Sequence, residues 1–197
     1  MKHLYLLSFF ILIFALSAFL SADYPNLLGL ENDDKYLSKA ENLVNQILTE
    51  TALEVESLDK IKVSGEMVSM PGGIVKTMGL SFNSYEKLSK EEIRKKTVQL
   101  AEKLLQNINS NKEIPPFLAK SPFTINEIEI SIYNHDQQGN WPYDPEIGNA
   151  HFNRGKITYS TYDPDKKFGN KNEFVESYEE ALLIVQNGSQ SQKEKAD

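Results

Sequence analysis

The chain has 197 residues, with 28 acidic and 21 basic side chains, a net charge of −7, three histidines and no cysteine. Without cysteine there is neither a disulfide framework nor the lipid-bearing cysteine of a lipoprotein. An acidic balance with no basic stripe repels phosphate backbones, so no nucleic-acid partner is expected, and cationic or neutral partners are favoured.

Residues 1–22 read as a secretory signal peptide: Lys2 gives the positive end, the run from Leu4 to Leu20 is apolar or small, and small residues with Pro25 follow. Cleavage falls after Ala22, or after Ser17, where Ala15 completes a small-x-small pattern. The alternative is an uncleaved membrane anchor, since the apolar run lies at the short edge of what spans a bilayer. Removing residues 1–22, which hold one lysine and no acid, takes the net charge from −7 to −8. A cysteine-free exported chain fits a bacterial envelope, periplasmic or secreted, better than an animal extracellular space.

Residues 23–32 are a lead, and residues 33–186 are read as a single domain, long enough for a real core. Tyr36, Leu37, Ala40, Leu43, Val44, Ile47, Leu48 and Val55 recur at three and four, which predicts an amphipathic helix with Asp33 and Asp34 as capping candidates. From Lys60 the period changes to two. Ile61, Val63 and Met67 alternate with polar or small residues, "MPGG" makes a turn, and Met78, Leu80 and Phe82 resume, predicting a β-hairpin with irregularity at Gly65 and Gly79. Ser89-Lys90-Glu91-Glu92 is a capping box. It opens a helix that buries Ile93, Thr97, Leu100, Ala101, Leu104 and Ile108 and turns Arg94, Lys95, Lys96, Glu102 and Lys103 largely to water.

The run "NSNKEIPPFLAKSPF" ends that helix, since its three prolines cannot continue it. "NEIEISIYN" and "GKITYSTY" read as strands, the first with one wet face. Phe174, Tyr178, Ala181, Leu182 and Val185 recur at helical spacing and predict a last helix, and residues 187–197 read as a disordered tail. The expected fold class is therefore α+β: a single domain with an antiparallel sheet of about four to five strands packed against about three helices.

The segment "NHDQQGNWPYDPEIGNAHFNRG", residues 134–155, is long for a strand connection, and long irregular connections are often functional. An extra strand around Ile147 to Phe152 would shorten it. Trp141, Tyr143 and Phe152, with Pro142 and Pro145, are candidate ligand-binding residues, because loop aromatics make good contact surface; the alternative, favoured for Trp141 and Phe152, is that they fold back to cap the sheet. Asn134, Asp136 and Gln138 lead into Gly139 like the first half of a calcium loop, but the twelfth position is Pro145, with Asp144 and Glu146 on either side. His135, Asp136, Asp144, Glu146 and His151 are the candidate metal ligands, for calcium or zinc, although no short His-x-His spacing preorganises them. No resident cofactor is expected otherwise. Nucleophile motifs are absent: there is no G-x-S-x-G elbow, and "MPGGIV" lacks the lysine of a phosphate loop.

"GLSFNSYEKLSKEEIRKK", "NINSNKEIPPFLAKSPFT", "IEISIYN", "GKITYST" and "ESYEEALLIV" together resemble a group of small exported bacterial proteins with no assigned activity, over most of Val75 to Val185. The resemblance implies a single exported domain and no catalytic residue. Two functions are expected from these observations. The first is a non-enzymatic exported domain that binds a protein or envelope component, touching the membrane itself only if the apolar segment is retained. The alternative is a metal-dependent envelope hydrolase built on His135, Asp136 and His151. The export reading predicts that protein purified from an exporting host has an intact mass beginning near Asp23; a mass that includes Met1 to Ala22 rejects cleavage there.

Overall fold

The computed structural model describes residues 38–58, 60–166 and 169–193. The expected signal peptide and the capping candidates Asp33 and Asp34 lie outside them. Helix α1 spans Lys39–Leu58, strand β1 Ile61–Ser69, β2 Thr77–Ser84, helix α2 Lys90–Ser110, β3 Ile128–Asn134, β4 Asn149–Asn153, β5 Lys156–Tyr162, β6 Asn170–Ser177 and helix α3 Tyr178–Lys193. Among the described residues no helix is long and apolar enough to cross a membrane.

Each helix opens on the same device. Ser38 and Glu41 form a capping box at α1, with Glu41 accepting from the Ser38 N–H at 2.6 Å and Ser38 Oγ accepting from the Glu41 N–H at 3.3 Å. The expected box at Ser89 and Glu92 opens α2. Ser177 and Glu180 repeat it at α3, at 2.8 and 3.2 Å. The last helix continues through Lys193, so residues 187–193, expected as disordered tail, are helical. Nothing in "NGSQSQK" forbids this, since it holds no proline and its single glycine only weakens a helix.

The six strands make one sheet in the order β1-β2-β3-β4-β5-β6. That is two strands more than the four read directly from the periodicity. β4 is the short strand that would shorten the 134–155 connection, and β6 was missed because Asn170 to Glu176 is a polar, largely exposed edge with no clean alternation. Phe174 belongs to β6, so the last helix begins at Tyr178. The sheet is also mixed. β2 and β3 are parallel, pairing Leu80 with Ile130 and Phe82 with Ile132, while every other pair is antiparallel. The reason is α2, which carries the chain from the end of β2 back to the start of β3, a crossover that only a parallel pair requires. Gly79 marks where that pair comes close: a Cβ there would sit 2.4 Å from the carbonyl oxygen of Glu129. The irregularity expected at Gly65 is a register shift between Val63 and Gly65.

Register divides the side chains cleanly. Met78, Leu80, Phe82, Ile128, Ile130, Ile132, Ala150, Phe152, Ile157 and Tyr159 share one face and are fully buried under the helices. Helix α1 packs on β1 and β2, α2 on β3 and β4, and α3 on β6 and α2. Thr51 and Asn107 join α1 to α2 by a 2.9 Å hydrogen bond. At the burial bookkeeping of about 2 kcal/mol for each large apolar side chain, this single face supplies the bulk of the favourable folding term.

Arg94, expected at the wet side of α2, is buried, because its partner lies on the unforeseen β6. Its guanidinium donates from Nε to Glu176 Oε1 at 2.7 Å and from NH2 to Oε2 at 3.1 Å. The Tyr159 hydroxyl donates to the same carboxylate. Burial first, and the Glu176 charge second, push the Tyr159 phenol well above its ordinary value, so it stays protonated and donates. Glu176 in turn raises Arg94 further, which remains charged. Removing one partner leaves the other buried and unpaired. Arg94→Met or Glu176→Leu is expected to destabilise the domain by about 3–5 kcal/mol, while the two together recover most of that loss. Urea melts in a double-mutant cycle check this, and additive single effects reject it.

Candidate functional site

With β4 in place, the connection after β3 reduces to residues 135–148, and a two-residue hairpin turn joins β4 to β5. Arg154 and Gly155 occupy that turn with φ of 49° and 72°, the left-handed pair that such a turn needs. What remains of the long segment is ordered by side-chain staples. Asn134, fully buried on the helix-covered side, accepts from the Leu88 N–H at 2.8 Å and donates to the Leu88 and Ile147 carbonyls at 2.8 and 2.9 Å. Its amide is consumed there and not offered to an ion.

Asp136 closes its own turn. Its carboxylate accepts from the Gln138 and Asn140 N–H groups at 2.9 and 2.8 Å and from the Asn140 side chain at 2.9 Å, with Gly139 at φ 83° completing the reversal. Asn140, the largest contributor, and the backbone donors hold that carboxyl below its usual range. Asp144 reaches across to the sheet, accepting from Thr161 Oγ1 at 2.8 Å and Asn172 at 2.6 Å and pairing with Lys171 at 3.1 Å. Glu146 pairs with Lys87 at 2.7 Å.

The proposed metal ligands are therefore dispersed. His151 stands on β4 with Nδ1 2.8 Å from Ser131 Oγ. His135 follows β3 four positions beyond Ser131, about 13 Å along the strand direction. Among the described residues no group of three histidine or carboxylate side chains lies close enough to hold an ion. The aromatic candidates divide as well. Phe152 is fully buried in the core against Tyr178, at 5.8 Å between ring centres, so it does not join the loop.

Trp141 and Tyr143 stay at the surface, 42% and 53% exposed. Trp141 is held edge-on by His135 at 5.0 Å, Tyr162 at 4.9 Å and Tyr133 at 6.5 Å, and Tyr85 stacks on the far side of His135 at 5.4 Å. Gly148 makes room for this arrangement, because a Cβ there would strike the Tyr162 ring at 2.3 Å.

This aromatic group stands on the other face of the sheet. Opposite the apolar face, register places Ser81, Asn83, Ser131, Tyr133, Asn149, His151, Thr158, Ser160 and Tyr162, and no described helix covers them. Three cavities meet at Trp141, the smallest of them, about 320 Å³, among the charged side chains of Lys87, Asp136, Asp144 and Glu146. Another, of about 470 Å³, opens on this face and is lined by Ser64, Ser81, Asn83, Tyr85, Tyr133, His135, Gly139 and Trp141. The third, of about 580 Å³, is lined by Trp141, Tyr143, Tyr162 and residues 163–166. Aromatic walls with a few fixed polar groups are the usual make-up of a small-ligand site. Sequence reasoning missed Tyr85, Asn83, Ser81 and Tyr162. Their signal was available: apart from Glu129 and Lys156, the outward positions of β2 to β5 carry hydroxyls, amides, rings and an imidazole where a merely wet strand face carries lysine and glutamate throughout.

Comparison with known proteins returns no match: no family model fits the chain, and no curated protein or solved structure is similar to it.

The Asp144 carboxyl is held below the usual range, by Thr161 first and then Lys171 and Asn172. A depressed value stabilises the fold above the unfolded carboxylate range and loses that effect as pH falls through the folded value. The difference in Tm between the native protein and Asp144→Asn is therefore expected to be constant above about pH 5 and to close as pH drops below about 4. A difference that persists to pH 2 removes the carboxylate from this role.

Proposed function

We propose that this protein is an exported, non-enzymatic domain that binds a protein or envelope component through the surface around Trp141 and Tyr143. The observation that carries the reading is the state of Trp141. An indole 42% exposed is set rigidly against three rings and opens into a cavity on either side. Large aromatics at low conformational-entropy cost are the residues that dominate binding interfaces. A solvent-exposed tryptophan held this way contributes much to contact.

The scaffold supports the same reading. The loop that presents both aromatics is stapled to β3, β5 and β6 through Asn134 and Asp144, and Asp136 closes its own turn within it, so its shape is preset before a partner arrives. Preorganisation of that kind lowers the entropy lost on binding. The apolar run of residues 4–20 is the feature that supports the export half of the reading.

Immobilised full-length protein, challenged with a solubilised envelope fraction, is expected to retain a partner that Trp141→Ala with Tyr143→Ala fails to retain. The variant should keep its far-ultraviolet circular dichroism and a cooperative melt, although Trp141 gives up its contacts with three rings. Retention of every partner by the folded double variant sinks the proposal.

A further inference from the structure

The cavity on the uncovered face carries chemistry that narrows the partner. Tyr85 and Trp141 wall it, and Ser81, Asn83, Tyr133 and His135 supply its polar groups. None of its lining residues is lysine, arginine, aspartate or glutamate, in a chain where those four types make up 25% of the residues. A charged ligand would find no counter-charge there, and a purely apolar one would leave hydroxyls, an amide and an imidazole without partners. The ligand that answers both conditions is itself uncharged, rich in hydroxyl groups that both donate and accept, and has flat C–H faces.

His135 gives an independent pointer. It is only 8% exposed, its Nε2 lies 3.3 Å from Asn83 Oδ1, and its Nδ1 has no hydrogen-bond partner at all. With the proton on Nε2 donating to the asparagine oxygen, Nδ1 is an acceptor buried without a donor. Native proteins seldom leave such an atom unsatisfied, and where they do it is a place to look for a missing group. Among the described residues one other buried side-chain atom shares this condition, Asn153 Oδ1. Register puts Asn153 and His135 on the same uncovered face, six positions apart through Glu129, about 20 Å along the strands. Between them lie the hydroxyl, amide and imidazole groups of Ser81, Asn83, Ser131, His151 and Asn149, and the charged pair Glu129 and Lys156 flanks Asn153 at the far end of the row.

From this we propose that the uncovered face binds a neutral oligosaccharide, with one sugar ring seated in the cavity against the Trp141 and Tyr85 rings and its hydroxyls meeting Asn83 and Ser81. A pyranose presents a face of C–H groups that carry partial positive charge, and the indole presents the negative face of its quadrupole, so the two stack. The Asn83 and Ser81 side chains take the sugar hydroxyls in either sense, while the imidazole Nδ1, which has no accessible surface in this structure, is reached only as the site opens around the ligand. The row towards Asn153 offers further hydroxyl partners to the rest of the chain. This rests on the binding reading above and names its ligand class.

Trp141 is the single tryptophan of the chain, so its fluorescence reports from the site itself. The full-length protein is titrated with the tetrasaccharides of N-acetylglucosamine, cellulose, amylose and xylan, and with tetragalacturonate as the anionic comparison. The expected result is a saturable change with at least one neutral tetrasaccharide, with Kd raised about tenfold or more in Tyr85→Ala and in Asn83→Ala, and heat of binding lost by calorimetry in Trp141→Ala. Tighter binding of tetragalacturonate than of any neutral chain overturns the assignment, as does a neutral-sugar response that all three variants leave unchanged. If no neutral chain binds, yet capture of an envelope component still depends on Trp141 and Tyr143, the oligosaccharide is overturned and the binding reading stands. If that capture is also indifferent to the two aromatics, both fall.

Discussion

The side-chain amide of Asn134 holds together three segments that are remote in sequence. At the end of the parallel-paired strand β3 it accepts from and donates to Leu88, on the lead into α2, and donates to Ile147, on the lead into β4. All of these groups are buried, so each would be left without a partner if the amide were absent, at about 1–3 kcal/mol apiece. The crossover that makes the sheet mixed, the start of the helix that covers its centre, and the loop that carries Trp141 therefore all converge on one asparagine. A residue type that sequence reasoning associates with turns and ion ligands serves here as an internal cross-brace.

A second constraint comes from the far edge of the sheet. β6 is polar and largely exposed, and it is attached to the body of the domain on its covered face by Glu176, which meets Arg94 of α2 and Tyr159 of β5. A bidentate guanidinium–carboxylate pair with a phenol on the remaining lone pairs satisfies its charges locally, the condition under which a buried pair is tolerated. It also fixes which way the edge strand faces. Asn172 and Lys171 can then reach Asp144, which anchors the loop bearing the two exposed aromatics.

The consequence for function is a sheet with two unlike faces. One is continuous apolar surface closed by helices; the other is polar and open among the described residues, with uncharged hydroxyl and amide groups beside a wall of rings at one end and Glu129 and Lys156 at the other. The rings are not a separate feature laid over the fold. Tyr133 and His135 continue the outward row of β3, Tyr162 ends the outward row of β5, and Trp141 is the loop residue that leans on all three. Binding surface and strand register are thus the same fact, and the loop shows its aromatics outward because the strands beneath it hold their polar residues outward.

The sequence by itself determined the elements whose reasons are local. The box at Ser89 and Glu92, the three-and-four spacing of Leu43 to Val55, the alternation of Ile128 to Ile132 and the turn at Gly72 and Gly73 all depend on residues a few positions apart, and each was legible. So was the α+β class; the exposure of Trp141 was not, since its sequence context fits a ring folded back to cap the sheet equally well. Only the tertiary structure decided the rest, because its causes are pairings across long separations. Strand β6 is stable only against β5, Arg94 is buried only because Glu176 arrives beside it, and β2 meets β3 in parallel because a helix lies between them. Phe152 went inward for the same reason: a one-residue step along β4 separates His151 on the open face from Phe152 in the core, and nothing within that short strand says which step faces which way.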